Sequence, residues 1–256
     1  MAASSHPPVL LTSSVVVHDT GVALRDTDER LRLTLESVGE WLRVDPELQL
    51  VICDGSGFDF SESVRQRYPS AKVECLFFQN DPEAVRLLGR GYGEGEIVRY
   101  AIEHSHLIAQ AGCFAKCTAK LWVENYRDCL AEWDGRLCLK GVFLDAFSLF
   151  RPTTLAYIDT RFYIAEVRMY RELLLEAHSR VDKDQNYGLE EAFRDAVFAT
   201  GLTGVLWRTP PVIEGVGGGI GVSYRNPFKR IIKEKLRSLL VQCHPKFTAL
   251  FMPARA

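Results

Sequence analysis

"LQLVICDGSGFDFS", residues 48–61, sets the reading of the whole chain. Leu50 to Cys53 is an unbroken apolar run, as expected of a strand whose sheet is covered on both faces. Asp54-Gly55-Ser56-Gly57 then stops it with residues that favour turns. A carboxylate at the carboxyl end of a parallel strand stands where open α/β sheets bind their ligands. Asp54 therefore has two readings, a ligand contact and a plain turn residue.

Working outward, "PVLLTSSVVV" (8–17) is a second buried strand. Between the two, "DERLRLTLESVGEWLRV" (28–44) places Leu31, Leu35, Val38 and Leu42 at helical spacing, with Asp26 and Asp28 near its start. Downstream come a short helix, "SESVRQRY", and a third strand, "KVECLFF" (72–78). Strands alternating with helices imply a mainly parallel sheet flanked by helices, an α/β fold. The same reading predicts one helix over 94–112, ended by Gly112, and a strand in 113–123. One or two strands follow in 136–152, helices over 164–181 and 188–201, and a strand leading into the glycine-rich "IEGVGGGIGVSY" (213–224). "NPFKRIIKEKLRSLLVQ" (226–242) is a basic amphipathic helix. We expect one α/β domain over 1–225 and a helix and tail over 226–256.

The chain has 256 residues, 47% hydrophobic and 25% charged, with a formal net charge of −2. That charge argues against a general nucleic-acid binder. The seven cysteines form no C-x-x-C pair, which suits reduced cytosol rather than a disulfide framework or a zinc site. The first residues lack a basic leader region, and no window approaches a membrane span, so the N-terminal apolar stretch is expected to be a core strand.

Several segments together resemble a GT-A-type (Rossmann-like) nucleotide-sugar glycosyltransferase over about residues 9–220. "VICDGSGFD" is similar to the family's second strand and its acidic turn. "YGLEEAFRDAVFATGLTGVLWRTPPVIEG" is similar to the stretch in which an acidic pair opens a helix. "GYGEGEIVRYAIEHS" followed by "FAKCTAKLWVEN" resembles a bacterial surface-polysaccharide group that lacks the usual Asp-X-Asp metal motif. The resemblance implies that Asp54 and Gly55 contact the nucleoside, with Thr12 and Ser14 lining the same crevice. It places Glu190, or else Glu191, as the base that deprotonates the acceptor hydroxyl; first-turn glutamates also suit the helix dipole alone.

Where that family usually has metal-binding carboxylates, the strand reads Phe114-Ala115-Lys116-Cys117-Thr118-Ala119-Lys120. Position 119 is Ala where the related pattern has Gly, and 120 is Lys where it has Arg. Lys116 and Lys120 are an even number apart and would share one strand face. Two ammonium groups would then stabilise a departing diphosphate in place of a metal. We therefore expect no metal and no cofactor. Asp182-Lys183-Asp184 reads as a solvated loop, and Glu214 stands where some relatives place a metal-binding histidine.

"RGYGEGE" (90–96) opens a helix, so Gly93 and the free N–H groups there would meet a phosphate or sugar. Glu94 would accept hydrogen bonds from the donor sugar or cap the helix. Asp159, Arg161 and Tyr163 would shape an acceptor site, or Asp159 and Arg161 would be a structural ion pair. The loop 213–224 would be a lid. Phe228, Ile231, Ile232, Leu236, Leu239 and Leu240 form an apolar stripe among five basic residues. That composition suits either an anionic membrane surface or docking on the chain's own domain.

The reading is a cytoplasmic glycosyltransferase, either free or peripheral on the inner face of the membrane. It would be inverting and metal-independent, and would move a sugar from a nucleotide donor to a glycan or lipid-linked glycan in capsule or lipopolysaccharide biosynthesis. The alternatives are a metal-dependent nucleotidyltransferase and a non-catalytic sugar-binding or scaffold subunit.

Overall fold

The structure, a computed structural model, describes residues 6–19, 21–219, 221–224 and 227–253. The expected boundary at 225/226 and the side chain of Phe228 lie outside the described residues.

Strand β1 (Val9–Ser13) is wholly buried. It stops short of the expected end because the chain leaves the sheet to satisfy a carboxylate. Val15 N–H donates to Asp54 Oδ2 at 3.0 Å, and Val16 N–H donates to Ser56 Oγ at 3.0 Å. Helix α1 (Thr27–Val44) starts at Asp26, whose side chain accepts from Glu29 N–H. Asp26-Thr27-Asp28 is thus a second Asp-X-Asp, and its first carboxylate is a helix cap. Next come β2 (Gln49–Asp54), α2 (Ser61–Arg67) and β3 (Lys72–Phe77), close to expectation. Helix α3 (Pro82–Leu88) was not anticipated, although Asp81 caps it and Pro82 occupies its first turn.

The single helix expected over 94–112 is two. Helix α4 (Arg90–His104) and helix α5 (His106–Ala111) break at Ser105. Ser105 Oγ accepts from Ile108 N–H, and Glu74 of β3 accepts from Ser105 Oγ, His106 N–H and Leu107 N–H. A carboxylate on a neighbouring strand therefore supplies the start of a second helix.

Strand β4 (Cys113–Thr118) is followed by a turn at Ala119-Lys120, then β5 (Leu121–Val123), α6 (Tyr126–Glu132) and β6 (Leu137–Leu144). The long β7 (Thr154–Glu166) takes Ile164-Ala165-Glu166, which the sequence reading assigned to a helix. It pairs antiparallel with both β4 and β6, so its tertiary partners outweigh local helical spacing. Helix α7 (Val167–Leu173) is correspondingly short, and α8 (Leu189–Thr200) matches expectation. Strands β8 (Ile213–Val216) and β9 (Ser223–Tyr224) join β5 in a small second sheet. Helix α9 (Phe228–Gln242) ends the regular structure.

The main sheet has six strands in the order β3-β2-β1-β4-β7-β6. β1 to β4 are mutually parallel, with β7 antiparallel beside β4. This is the mainly parallel, helix-covered α/β sheet that the sequence pattern implied. Two apolar layers cover it. One gathers Ile97, Val98 and Ala101 of α4 and Phe193 and Val197 of α8 against Leu10, Val51 and Phe114. The other gathers Leu35, Val38 and Trp41 of α1 and Tyr126 of α6 against Val9, Leu11, Ile52 and Ala115. Trp41 and Tyr126 meet edge to face at 5.2 Å. Residues 247–252 return to the first layer and beyond: Phe247 packs on Phe143 at 5.1 Å, and Met252 N–H donates to Leu206 O.

Candidate active site

The carboxyl ends of β1 and β4 open into a cleft with two connected parts. The first cavity, about 130 Å³, is walled by Thr12, Ser14, Gly55 and Asn80 from the strand ends, Arg30 from α1, Gly93 and Glu94 from α4, and Lys120. The second, about 500 Å³, continues over Thr118, Tyr157, Asp159, Thr160 and Arg161 to Glu190 and Glu191. Arg90, Glu94, Thr118, Gly218 and Gly219 line both.

The two lysines of the β4 segment do not share a face. Lys116 points towards α4 and is fully engaged. Its ammonium donates to Glu94 Oε1, to Thr118 Oγ1 at 3.0 Å and to Thr160 O at 2.7 Å. Glu94 Oε1 also accepts from Thr12 Oγ1 at 3.1 Å and Thr118 Oγ1 at 2.9 Å. Burial by itself would raise the Glu94 carboxyl; the Lys116 ammonium and the two threonine hydroxyls outweigh it and hold it below its ordinary value. Lys116 lines neither part of the cleft, so it is not placed to meet a diphosphate. Its expected role is corrected to that of Glu94's counter-ion.

Lys120 lies beyond the end of β4, where strand alternation no longer applies. Its φ is 74°, a left-handed conformation that costs a residue with a Cβ about 1 kcal/mol or more. The turn swings the side chain to the α1 side, where Lys120 N–H donates to Ser37 Oγ at 3.3 Å. Among the described residues the Lys120 ammonium has no hydrogen-bond partner, although the residue is only 3% exposed. Burial, together with the nearby Arg30 guanidinium, pushes it down to about 7 against the pull of Asp54 and Glu94. Arg30 is itself buried, held by Ser14 O at 2.7 Å and Leu24 O at 2.9 Å. Two cations thus face the smaller cavity with no carboxylate paired to either among the described residues. That arrangement favours an anion.

Asp54 lies beneath the cleft rather than in it. It is 0% exposed. Its carboxylate accepts from Val15 N–H, Ser56 N–H, Ser56 Oγ and Phe58 N–H. This is the turn reading of Asp54: it fixes the paths of β1 and β2 so that Thr12, Ser14 and Gly55 face the cavity. Tyr163 is a correction of the same kind. It is buried in the core, its hydroxyl 3.3 Å from that of Tyr170, and it does not reach the cleft. The aromatics that do are Tyr157 and Tyr224.

Gly91, Gly93 and Gly95 lie inside α4 and not in a loop at its start. A Cβ at Gly95 would collide with His178, and one at Gly93 would press on Val85 at 3.1 Å, so these glycines serve packing. Gly93 nonetheless borders the smaller cavity.

Glu190 and Glu191 divide their tasks. Glu191 Oε2 accepts from Gly188 N–H at 2.9 Å, as a helix-capping glutamate does. Glu190 turns to the cleft, where Thr160 Oγ1 donates to it at 3.3 Å. Burial, with Glu94 and Glu191 nearby, raises its carboxyl above the ordinary value. Asp159 accepts from Arg161 Nε at 2.7 Å and Nη2 at 2.5 Å, with Lys140 at 3.4 Å. Burial would raise Asp159, but Lys140 and Arg161 hold it well below the usual carboxylate range. Asp159 and Arg161 are therefore an ion pair that also lines the cleft.

The glycine-rich segment lies across both parts. Gly219 O accepts from Ala23 N–H at 2.8 Å, and a Cβ at Gly219 would sit 2.6 Å from Arg90 Nη1. Asp182 caps its own turn, accepting from Asp184 N–H and Gln185 N–H, while Lys183 pairs with Asp19 at 2.9 Å. Glu214 lies in β8 opposite Trp122, outside the cleft lining.

Arg30, Arg90, Tyr157 and Tyr224 were missed from sequence. Arg30 stands in an ordinary charged helix start, and only its buried position next to Leu33 and Thr34 distinguishes it.

No protein-family description and no curated protein sequence matches the chain. In fold it is similar to HddC from Yersinia pseudotuberculosis, at 15% identity over 90% of this chain and 100% of that one, with TM-score 0.43. It is similar to core-mannan synthase A from Aspergillus fumigatus in its Mn/GDP form, at 10% identity over 99% and 88%, with TM-score 0.48. It is also similar to the glycosyltransferase GlyE of Streptococcus pneumoniae TIGR4, at 9% identity over 74% of this chain and 43% of that one, with TM-score 0.45. At such identities the likeness extends to no individual residue.

Proposed function

We propose that the chain is a glycosyltransferase that holds the diphosphate of a nucleotide-sugar donor with Arg30 and Lys120 and activates a glycan hydroxyl with Glu190. The observation that carries this reading is one continuous cleft with uncompensated cations at one end and a carboxylate of raised proton affinity at the other. The acceptor hydroxyl attacks the anomeric carbon, Glu190 takes its proton, and the bond to the diphosphate breaks with both electrons going to the departing oxygen. That is a single displacement and inverts the anomeric centre. The negative charge that builds on the leaving group is met by Lys120, Arg30 and Arg90, which line the same end of the cleft. One such cation at ~4 Å is worth up to about 4 kcal/mol at an effective dielectric near 20. The reading is metal-independent because the cleft carboxylates Glu94 and Asp159 are already taken by lysine and arginine, while the phosphate end offers cations.

The finer reading is transfer onto a capsule or lipopolysaccharide glycan at the cytoplasmic face of a membrane. No described helix is long and apolar enough to cross a bilayer. Instead α9 turns Ile232, Leu236, Leu239 and Leu240 outward, 41–58% exposed, among its lysines and arginines. Arg237 lies 5.8 Å from the Phe147 ring, next to a turn whose Leu149 and Phe150 are 93% and 96% exposed. This surface suits an anionic bilayer.

The deciding test is thermal stability with UDP, GDP, CMP and dTDP in excess EDTA, repeated with Mn²⁺. A rise in melting temperature with one nucleotide in EDTA is expected. A rise only with Mn²⁺ removes the lysine assignment and favours metal-dependent chemistry; no rise with any nucleotide favours a non-catalytic subunit. Glu190→Gln should then abolish transfer, by on the order of 10²-fold or more, while the nucleotide shift survives.

A further inference from the structure

A third cavity, about 170 Å³, opens beside the acceptor end of the cleft and shares Tyr157, Asp159, Arg161 and Tyr224 with it. Its remaining walls are Lys140 and Gly141 of β6, the Pro210-Pro211 segment and the inner face of α9. Among the described residues five cations line it, Lys140, Arg161, Arg230, Lys235 and Arg237, against two carboxylates, Asp159 and Glu234. Both carboxylates are spent. Asp159 is shared between Arg161 and Lys140, and Glu234 accepts from Arg237 at 2.5 Å. Arg230 and Lys235 have no ion-pair partner among the described residues. Arg161 is held in place from both sides: Asp159 takes its fork, and the Tyr224 ring lies 4.7 Å beneath its guanidinium.

A groove of this kind has a net positive charge that its own side chains do not neutralise. A neutral glycan needs no such surplus. A lone carboxylate would be satisfied by one arginine fork, whereas a dianionic phosphate draws on several cations at once. The shared wall gives the direction: a ligand whose hydroxyl lies at Glu190 can pass Tyr157 and Arg161 and place a charged group against α9. We infer that this groove is a phosphate subsite, and that the acceptor carries a phosphate or diphosphate close to the hydroxyl that is glycosylated. The inference rests on the glycosyltransferase reading above and names the acceptor class for it.

Calorimetric binding of inorganic pyrophosphate tests both claims and keeps them apart. The intact chain should bind pyrophosphate at two sites. Lys120→Met should weaken the donor site at least tenfold and keep the groove, while Arg230→Ser combined with Lys235→Ser should weaken the groove at least tenfold and keep the donor site. Both latter residues are exposed, so that variant is expected to fold. If the double variant still binds at two sites, the groove assignment fails and the donor reading stands. If Lys120→Met binds like the intact chain, the donor reading fails and the groove stands. Phosphatidylglycerol vesicles identify the source of the phosphate. If Lys120→Met protein takes up no pyrophosphate in the groove and vesicle binding is lost with Arg230→Ser and Lys235→Ser, the groove is a lipid-headgroup contact and the acceptor assignment is overturned.

Discussion

Lys116 and Lys120 are four residues apart, both nearly inaccessible, and opposite in circumstance. Lys116 remains within the strand and meets a carboxylate, a hydroxyl and a carbonyl. Lys120 follows the strand, takes a left-handed turn and arrives beside another cation. The first is a paired structural charge, and the second is a buried charge with no ion-pair partner among the described residues. The difference shows that burial of a lysine says little about its role until its partners are known. A paired buried charge is a structural commitment, whereas an unpaired one holds free energy that an incoming anion can release.

The sharpest way to break the comparison is Lys116→Met. Glu94, part-buried in the cleft wall, would be left without its cation, and the expected cost is up to about 3 kcal/mol, read as a fall in denaturation midpoint. Adding Glu94→Gln should recover part of that loss. If Lys116→Met is neutral, the Glu94 network is not what holds this side of the cleft together.

The converse change, Lys120→Met, should leave stability unchanged or raised, because no carboxylate loses its partner. Nucleotide binding should instead weaken by about 1.5–3 kcal/mol, as for loss of a hydrogen bond to a charged group. A calorimetric titration showing undiminished affinity would remove Lys120 from the site.

A smaller effect sharpens the distinction through pH. Lys120 loses its proton near pH 7 in the free protein, whereas a bound diphosphate would retain it. Affinity should therefore be full below pH 7 and decline above it, by up to about tenfold, or 1.4 kcal/mol, per pH unit. Lys120→Arg, which stays charged, should flatten that decline. By the same linkage the free protein should gain stability from about pH 7 towards 10.5, because the unfolded chain keeps a proton that native Lys120 has released. A stability profile identical in the Lys120→Met variant would contradict the lowered value.

Much of the fold was legible from residues 8–78 alone. Continuous apolar strands alternating with amphipathic helices admit few arrangements other than a covered parallel sheet. The places where the reading slipped share one cause. Helix α4 ends at Ser105 because Glu74, thirty-one residues away, caps the next helix. Ile164 to Glu166 are strand because β4 and β6 flank them. Arg30 is not legible because a charged residue near a helix start is ordinary. In β7 the cleft is lined by Tyr157, Asp159, Thr160 and Arg161, whereas Tyr163, two residues further along the strand, is packed in the core.

The parallel α/β layering, the acidic start of α8 and the lack of carboxylates in residues 113–120 can be read from residue type and local spacing alone. Which cleft carboxylate lacks a cation, and which of the two lysines is unpaired among the described residues, follows from the three-dimensional packing. Glu94 is consumed by donors from β1 and β4, Asp54 by Val15 N–H of the neighbouring strand end together with its own turn, and Glu191 by the cap of its own helix, while Glu190 faces the cleft with a single hydroxyl contact. Charge balance in a buried site is a property of what surrounds each group in three dimensions, and a linear pattern does not contain it.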